Sequence, residues 1–259
     1  MTSFKSALKY VLRGKTHLYI HSPFVYQICQ EVLYDKRKYY AFDAIAYVRK
    51  LYLDNPKTLA IKDFGAGSRQ NKQTDLRIKD ICKRAALPTS YGKLLFRLGL
   101  FMQSKYRLEL GTSLGIGSLY QFMHDTRYPM ISIEGSEALA QQAQSTFSKM
   151  YLNHLQCWQG TFEILLPKAI ATLPQLDWVF FDGNHRLEPT LRYFEQCLPK
   201  VHEDTVFIFD DIHWSAEMEQ AWEAIKARPE VSISIDLYRM GLVFFRKNIA
   251  KEDFTLYYW

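Results

Sequence analysis

The order of strand-like and helix-like segments after Tyr106 constrains the fold of this chain more than any other feature. Short apolar or β-branched runs alternate there with amphipathic stretches, which is typical of right-handed βαβ units and a parallel sheet covered by helices on both faces. The runs predict seven strands: YRLEL, MISIEG, LQCWQG, DWVFFD, TVFIFD, VSISIDL and GLVFFR. The last two flank the short turn YRM, which predicts an antiparallel strand at one edge. We therefore expect an α/β fold with a doubly wound, seven-stranded and mostly parallel sheet.

The first hundred residues show a different pattern, in which apolar residues recur at helical spacing. Amphipathic helices are predicted for FKSALKYVL, PFVYQICQEVLY, FDAIAYVRKLYL, LRIKDICKRAAL and YGKLLFRLGLFMQ. We therefore expect two parts. Residues 1–104 form a helical N-terminal cap on the substrate side, and residues 105–259 form the α/β domain that binds a cofactor.

Charge and composition exclude several classes of protein. The chain has no charge-free apolar run of membrane-spanning length, and its mean hydropathy is −0.22, so no membrane span is expected. The N-terminal residues mix basic and apolar side chains without a signal-peptide pattern, which predicts a cytoplasmic protein. The four cysteines include no C-x-x-C pair, which argues against a zinc site. The net charge of +6 leaves two interpretations open, namely solvated helix faces or contact with an anionic partner.

Two glycine-rich turns compete as the site of a nucleotide-type cofactor: DFGAGS at residues 63–68 and LELGTSLGIGS around Gly111. Such a site needs a strand, a glycine turn, a helix N-terminus, and an acidic residue at the end of the next strand for the ribose hydroxyls. The second turn meets each condition, because RLEL precedes it, a helix follows near Ser118, and the strand MISIE ends at Glu134. DFGAGS leads instead into the polar segment RQNKQTD. We predict cofactor binding at the second turn and a structural or substrate-side loop at the first.

Four motifs follow one another, each at the carboxyl end of a predicted strand: ELGTSLGIGS, IEGSE, DWVFFDGNH and FIFDDIHW. Together they resemble the ordered motifs of class I S-adenosylmethionine-dependent methyltransferases over roughly residues 88 to 259. The closest likeness is to small-molecule O-methyltransferases of the catechol type, and HSPFVY with DFGAGS is similar to a bacterial branch of them. The resemblance implies a Rossmann-like fold, S-adenosylmethionine as cofactor, and methyl transfer to a small-molecule oxygen or nitrogen nucleophile.

The resemblance also implies where the parts of the cofactor lie. Glu109 and Gly111 would flank the methionine moiety, and Glu134 would bind the ribose. Gly115 and Gly117 would leave room for the cofactor. The turn after the third strand would place three residues beside the adenine: Gly160, Thr161 and Phe162.

Three carboxylates stand at adjacent strand ends, Asp182, Asp210 and Asp211, and the sheet is expected to bring them together. The resemblance implies that Asp182 also contacts the cofactor, near its sulfonium and the acceptor. Catechol-type enzymes hold Mg²⁺ with two aspartates and an amide, whereas here Asp211 stands at the amide position and His185 at that of a catalytic lysine. Two alternatives stay open. Either the three aspartates bind Mg²⁺, or the site is metal-free and Asp211 or His213 caps a helix or orients the substrate.

Histidine titrates near neutral pH, so the two histidines after these strand ends are candidate general bases. We predict Asp182, His185 and His213 as catalytic residues, with His185 as the first choice of base. A small-molecule acceptor is the expected partner, and the N-terminal aromatic residues line either an apolar pocket or a homodimer interface. Three other functions stay open. They are an RNA methyltransferase that uses the basic N-terminal region, a non-catalytic cofactor-binding scaffold, and a nicotinamide-dependent oxidoreductase.

Overall fold

The computed structural model describes residues 4–16, 19–62 and 73–258, and its helices and strands lie within these ranges. The DFGAGS turn lies outside these ranges. The strands are β1 (Thr58–Lys62), β2 (Gln73–Arg77), β3 (Arg107–Leu110), β4 (Met130–Glu134), β5 (Leu155–Gln159), β6 (Trp178–Phe181), β7 (Val206–Phe209), β8 (Ile233–Asp236), β9 (Gly241–Phe244) and β10 (Glu252–Thr255). The α-helices are α1 (Phe4–Arg13), α2 (Pro23–Ile28), α3 (Tyr40–Leu53), α4 (Ile78–Ala85), α5 (Thr89–Met102), α6 (Ile116–Phe122), α7 (Glu137–Lys149), α8 (Phe162–Thr172), α9 (Leu187–Cys197) and α10 (Ala216–Ala227). Among these described helices, none has the length and apolarity needed to cross a lipid bilayer.

Strands β3 to β10 form one sheet in the order β10-β8-β9-β7-β6-β3-β4-β5. β9 runs antiparallel to its neighbours β7 and β8, and the other neighbouring strands of the sheet are parallel. The chain enters the sheet at β3, builds outward through β4 and β5, and returns to the other side of β3 with β6. The switch in strand order therefore lies between β3 and β6, which is where open α/β sheets bind ligands. The predicted doubly wound, mostly parallel sheet with an antiparallel strand is confirmed.

The two faces of the sheet are covered by different helices, because successive side chains of a strand point to opposite faces. In β6, Val179 and Phe181 pack in one core cluster with residues of α8, α9 and α10. Trp178 and Phe180 of the same strand belong to a second cluster, together with residues of α2 and α5. Burial on both faces explains why WVFF and VFIF are uninterrupted apolar runs rather than alternating ones.

The N-terminal part of the chain packs directly on the sheet. Helices α3 and α4 share a core cluster with α6 and α7, and α2 and α5 cover β6 to β9. Helix α1 is tied to the far end of the chain, because the Tyr10 hydroxyl donates to the Leu256 carbonyl at 2.5 Å and Lys15 forms a parallel bridge with Leu256. The division into residues 1–104 and 105–259 stays a prediction.

The sequence pattern misses two features of this fold. Strand β10 extends the sheet beyond β8 and runs parallel to it, so the sheet has eight strands rather than seven. Its sequence, EDFT, is mostly polar and forms a partly exposed edge, so no apolar run marks it. In the region predicted as helical, β1 and β2 pair as an antiparallel ribbon, in which Leu59 and Ile61 reach the core. Strand β2, QTDLR, is held by this pairing rather than by an apolar face.

Candidate active site

A cavity of about 240 Å³ opens at the switch point between β3 and β6. Six of the residues predicted to bind the cofactor line it: Gly111, Glu134, Gly160, Thr161, Phe162 and Asp182. A small recess beside it is lined by Glu109 and Gly117, and it shares Gly111 and Asp182 with the cavity. The structure therefore brings together at one edge of the sheet the residues that follow β3, β4, β5 and β6.

Gly111 marks the closest approach of the turns that follow β3 and β6. Its φ is +107°, and a Cβ at this position would collide with the carbonyl oxygen of Asp182. The Gly111 amide donates to the Ile133 carbonyl at 2.9 Å, and the Asp182 amide donates to the Leu110 carbonyl at 2.8 Å. The fold itself therefore requires glycine at this position, in addition to any requirement of a ligand.

The other two glycines of the turn differ in their surroundings. Gly115, at the N-terminus of α6, has a φ of +81°, and a Cβ there would lie 2.7 Å from the Phe147 ring. Packing against Phe147 therefore requires a glycine at this position, and its predicted place beside the cofactor stays a prediction. A Cβ on Gly117 would meet nothing closer than 3.5 Å, the distance to Glu109 Oε1. Because the protein leaves room for a side chain at Gly117, its predicted role beside the cofactor stays a prediction.

Glu134 is held against the cavity wall by two backbone amides. Its Oε2 accepts a hydrogen bond from the Ser113 amide at 2.8 Å, and its Oε1 accepts one from the Ser136 amide at 2.9 Å. Ser113 has a φ of +49°, a left-handed conformation of the kind that clusters at functional sites. A carboxylate oxygen accepts more than one hydrogen bond, so this fixed carboxylate can also accept ribose hydroxyls.

An aromatic wall closes the other end of the cavity. Phe162 begins α8 and lies over Gly183, where a Cβ would come within 2.7 Å of the ring. The ring makes an edge contact with Tyr193, with centroids 5.6 Å apart and planes at 81°. The Tyr193 hydroxyl donates to Glu163 at 2.7 Å and accepts a hydrogen bond from the side-chain amide of Asn184 at 3.2 Å. Phe162 is thereby fixed as a flat apolar surface, and its contact with adenine stays a prediction.

Glu109 is completely buried, and its carboxylate is hydrogen-bonded to other side chains of the protein. Oε1 accepts a hydrogen bond from Gln121, and Oε2 accepts hydrogen bonds from the hydroxyls of Ser118 and Ser132. Gln121 in turn accepts a hydrogen bond from the Trp178 indole at 2.9 Å. Burial raises the pKa of Glu109 to about 7, against the effect of these hydrogen bonds. The carboxyl therefore fastens β3 to α6 and β4 beneath the recess, and its predicted contact with methionine stays a prediction.

Asp182, which lines the cavity, lies close to His185. The distance from His185 Nε2 to Asp182 Oδ1 is 3.7 Å, and the two side chains are 23% and 28% exposed. Burial, and then the nearby charges of Asp210 and Asp211, hold the pKa of Asp182 well above its usual range. The structure thus places two of the predicted catalytic residues beside each other, one facing the cavity and both accessible from solvent.

Arg239, in the turn between β8 and β9, binds the other two acidic residues. Its Nε donates to Asp210 Oδ1 at 2.9 Å, its Nη2 donates to Asp210 Oδ2 at 2.6 Å, and Nη2 lies 3.5 Å from Asp211 Oδ1. Burial alone would lower the pKa of Arg239, but the hydrogen bonds with Asp210 raise it.

The predicted Mg²⁺ site of Asp182, Asp210 and Asp211 does not fit this geometry. Along residues 4–16, 19–62 and 73–258, no three His, Cys, Asp or Glu side chains are placed to hold a metal ion. The physical reason is that the guanidinium of Arg239 takes both oxygens of Asp210. These carboxylates therefore do not form a set of open oxygen ligands.

His213 is held between two carboxylates, and the catalytic role predicted for it stays a prediction. Its Nδ1 lies 3.1 Å from Glu219 Oε1 and its Nε2 lies 2.9 Å from Asp236 Oδ2, so both ring nitrogens are engaged. Burial would lower the pKa of His213, but hydrogen bonds with these carboxylates raise it. Capping of α10 falls to Ser215, whose hydroxyl accepts from the Met218 amide, rather than to Asp211 or His213.

Residues 108–212 match the family model of a methyltransferase domain. This part of the chain is a methyltransferase domain. The matched residues include the Gly111 turn, Glu134 and the Asp182–His185 pair, whereas Arg239 lies beyond them. The methyltransferase that the four sequence motifs predict is therefore confirmed.

Solved structures of methyltransferases share the fold of most of the chain at low sequence identity. An O-methyltransferase from Bacillus cereus in complex with SAH has 18% identity and a TM-score of 0.53, over 85% of this chain and 97% of that one. The O-methyltransferase TomG from Streptomyces achromogenes, in complex with SAM, has 17% identity and a TM-score of 0.55, over 85% and 94%. The SAH-bound methyltransferase PaMTH1 from Podospora anserina has 11% identity and a TM-score of 0.56, over 88% and 97%. These likenesses confirm the Rossmann-like fold, and no curated protein matches the chain.

Sequence reasoning misses several residues that line the cavity. Asn184 has a φ of +54° in the turn after β6, and its position in GNH is the kind of signal that marks a turn residue. Tyr193 lies in the middle of α9, far from any strand end, and carries no such signal. Ile61, on β1, belongs to a strand that the sequence does not predict.

The substitution Glu109→Gln tests how the buried carboxyl of Glu109 makes the stability of the protein depend on pH. Its pKa is raised from 4.5 to about 7 in the folded state, so its stabilising contribution is complete below pH 4.5 and is lost as the pH rises through about 7. Each pKa unit is worth about 1.4 kcal/mol, so the loss amounts to roughly 3 kcal/mol. As the pH rises from about 4.5 to about 8, the free energy of unfolding of the wild type should therefore fall by this amount relative to that of E109Q.

Urea denaturation at a series of pH values measures this difference. Exposed Glu203→Gln is the control and should follow the wild type at every pH. A wild-type advantage that is the same at acidic and neutral pH would mean that Glu109 has an ordinary pKa.

Proposed function

We propose that the chain catalyses S-adenosylmethionine-dependent methyl transfer to an oxygen or nitrogen nucleophile of a small molecule. The observation that carries this proposal is the cavity at the switch point, which gathers Gly111, Glu134, Phe162 and Asp182 within a methyltransferase domain. Support also comes from solved structures of the same fold that are complexes with SAH or SAM.

In this proposal, different residues of the cavity bind different parts of the cofactor. The carboxylate of Glu134, fixed by two backbone amides, accepts the ribose hydroxyls, and Phe162 covers one face of the adenine. Gly117 leaves space at the methionine end. S-adenosylmethionine, when bound, supplies a methyl group that its sulfonium has already activated.

Asp182 and His185 act on the acceptor side. Because the methyl group is already activated, these residues mainly align the nucleophile and remove its proton. His185 Nε2 takes that proton, and Asp182, 3.7 Å away, stabilises the imidazolium that results. The positive charge of a bound sulfonium would favour the ionised form of Asp182, which burial and the neighbouring carboxylates otherwise disfavour.

The N-terminal residues complete the site as a cap. Ile61 of β1 lines the cavity, and the Tyr91 hydroxyl of α5 donates to the Leu237 carbonyl at 2.8 Å, in the turn that carries Arg239. We assign residues 1–104 to this cap and place the protein in the cytoplasm. Exposed apolar side chains such as Leu12 and Tyr40 support a homodimer through the N-terminal part.

Calorimetric titration with S-adenosylhomocysteine, with chelator present, tests the cofactor. We expect saturable micromolar binding to the wild type. Glu134→Ala should weaken it by about 1.5 to 3 kcal/mol, or roughly tenfold to a hundredfold, because a charge-assisted hydrogen bond to the ribose is lost.

Exposed Glu137→Ala, in the first turn of α7, is the matched control and should bind as the wild type does. Equal affinity of Glu134→Ala and wild type would remove Glu134 from the cofactor site. Absence of binding to the wild type would refute the proposed cofactor and favour a scaffold function.

A further inference from the structure

We infer that the guanidinium of Arg239 takes the place of a divalent cation at this site, so that methyl transfer by this chain needs no metal ion. This role of Arg239 rests on the proposed function and concerns the acceptor side of the same site. The sheet places Arg239 beside the carboxylates, where Arg239 blocks their coordination of Mg²⁺ and keeps Nη1 available as a hydrogen-bond donor.

The register of the sheet brings Arg239 to the acidic residues. Strands β6 and β7 are parallel neighbours in register, so Asp182 and Asp210, which follow them directly, end side by side. Strand β9 is antiparallel to β7, with Phe209 opposite Gly241. Continued past the strand ends, this register places residue 239 opposite Asp211, and the Ile212 amide donates to the Arg239 carbonyl at 3.2 Å.

Three carboxylates at adjacent strand ends repel one another unless a positive charge lies among them. Arg239 supplies it, with two hydrogen bonds to Asp210 and an ion pair of 3.5 Å to Asp211. The pairing is bidentate, which is the strongest arrangement between a guanidinium and a carboxylate. The negative charges that would attract a metal ion are therefore already compensated by a side chain of the chain itself.

Arg239 also blocks the coordination that Mg²⁺ needs. Magnesium requires oxygen ligands at about 2.0 to 2.1 Å in octahedral geometry. Both oxygens of Asp210 accept hydrogen bonds from Arg239, and the Asp210 side chain is fully buried. A cation beside Asp210 would also lie within a few ångströms of the guanidinium charge, so it would have to displace Arg239.

Arg239 retains a donor for the acceptor molecule. Its side chain is 30% exposed, and Asp210 accepts from Nε and Nη2, so that Nη1 makes no hydrogen bond within the described part of the chain. The guanidinium keeps its charge at any physiological pH, so it can donate to an acceptor oxygen and stabilise the negative charge that develops when His185 takes the proton. A divalent cation would supply the same stabilisation as a Lewis acid.

Mn²⁺ titration followed by electron paramagnetic resonance tests this role without any methyl acceptor. The wild type is compared with Arg239→Ala, which frees Asp210 and Asp211. The matched control is Arg127→Ala, since Arg127 binds Asp125 with the same bidentate geometry, at 2.9 and 2.6 Å, away from the cavity. We expect R239A to bind Mn²⁺ at least about tenfold more tightly than the wild type, and R127A to match the wild type.

Thermal melting gives a second readout, because R239A leaves buried carboxylates unpaired and is expected to be less stable. A ligand that binds the folded state raises its melting temperature, so Mg²⁺ should raise the melting temperature of R239A but not those of the wild type and R127A, at matched ionic strength. Equal Mn²⁺ affinity of wild type and R239A would overturn the role of Arg239.

If R239A does not fold, Mn²⁺ binding by the wild type tests the role of Arg239. Saturable Mn²⁺ binding to the wild type that Asp182→Asn abolishes would overturn the role of Arg239, and its absence would support that role. Titration of the same wild-type sample with S-adenosylhomocysteine separates the two proposals. A wild type that binds both ligands retains the proposed function and loses the role of Arg239, whereas one that does not bind S-adenosylhomocysteine loses the proposed function.

Discussion

Gly111→Ala is expected to lower the free energy of unfolding by about 3 to 5 kcal/mol and to abolish binding of S-adenosylhomocysteine. The residue has a φ of +107°, and its Cβ would overlap the carbonyl oxygen of Asp182, which is backbone and has no rotamer to change. The turns after β3 and β6 would have to separate, and they form the floor of the cavity. Urea denaturation and calorimetric titration measure the two effects.

Gly117→Ala is the matched control in the same turn. A Cβ there meets nothing closer than 3.5 Å and lies in the first turn of α6, so its stability should be unchanged or higher by about 0.5 to 1 kcal/mol. Its affinity for S-adenosylhomocysteine should still fall by about tenfold or more, if the open space belongs to the cofactor. Wild-type stability of Gly111→Ala would contradict the close approach of the two turns, and wild-type affinity of both variants would move the cofactor elsewhere.

Asp182→Asn is expected to reduce methyl transfer by at least about a thousandfold, because the amide cannot stabilise a protonated His185 or the sulfonium by charge. It should not reduce stability at neutral pH. The folded-state pKa of Asp182 is raised by burial and by Asp210 and Asp211, so its contribution to stability is lost as the pH rises above its ordinary value of 3.8. Removing that charge relieves the repulsion, so the variant should unfold at the same temperature as the wild type or at a higher one.

The measurement is transfer of a labelled methyl group to acceptors found by screening, with thermal melting of the same samples. Exposed Asp204→Asn is the control, since Asp204 lies outside the cavity and, within the described part of the chain, forms an ion pair only with Arg246. Full activity of Asp182→Asn would remove Asp182 from the catalytic residues. A large loss of stability would show that the carboxylate is needed for folding rather than for catalysis.

The parts of the sheet that are predictable from the sequence are those buried on both faces. Strands such as β6 and β7 read as WVFF and VFIF, because each side chain meets an apolar layer. Strands β2 and β10 are held by backbone pairing at partly exposed edges, where polar residues are tolerated. Side-chain periodicity reports burial, so it does not detect strands that pairing alone maintains.

The candidate site likewise contains residues that the sequence predicts and contacts that it does not. Glu134 ends a strand, and Gly111 and Asp182 follow strands directly; a parallel sheet brings such residues to one edge whatever its exact register. The partnership of Arg239 with Asp210 depends on β9 being antiparallel and on the alignment of Phe209 with Gly241. The two carboxylate partners of His213, Glu219 and Asp236, likewise come from elements whose relative placement the sequence does not encode locally.

The contact between Tyr10 and Leu256 fixes an order of events during synthesis of the chain. The two residues are 246 positions apart, and Lys15 pairs with the same distant segment. Helix α1 therefore leaves the ribosome before any strand of the sheet but meets its partner only after β10 has been translated. Until then, the ring of Tyr10, which is buried in the folded protein, lacks the surface on which it packs. Docking of this helix must be a late step in folding, completed only once the far edge of the sheet exists.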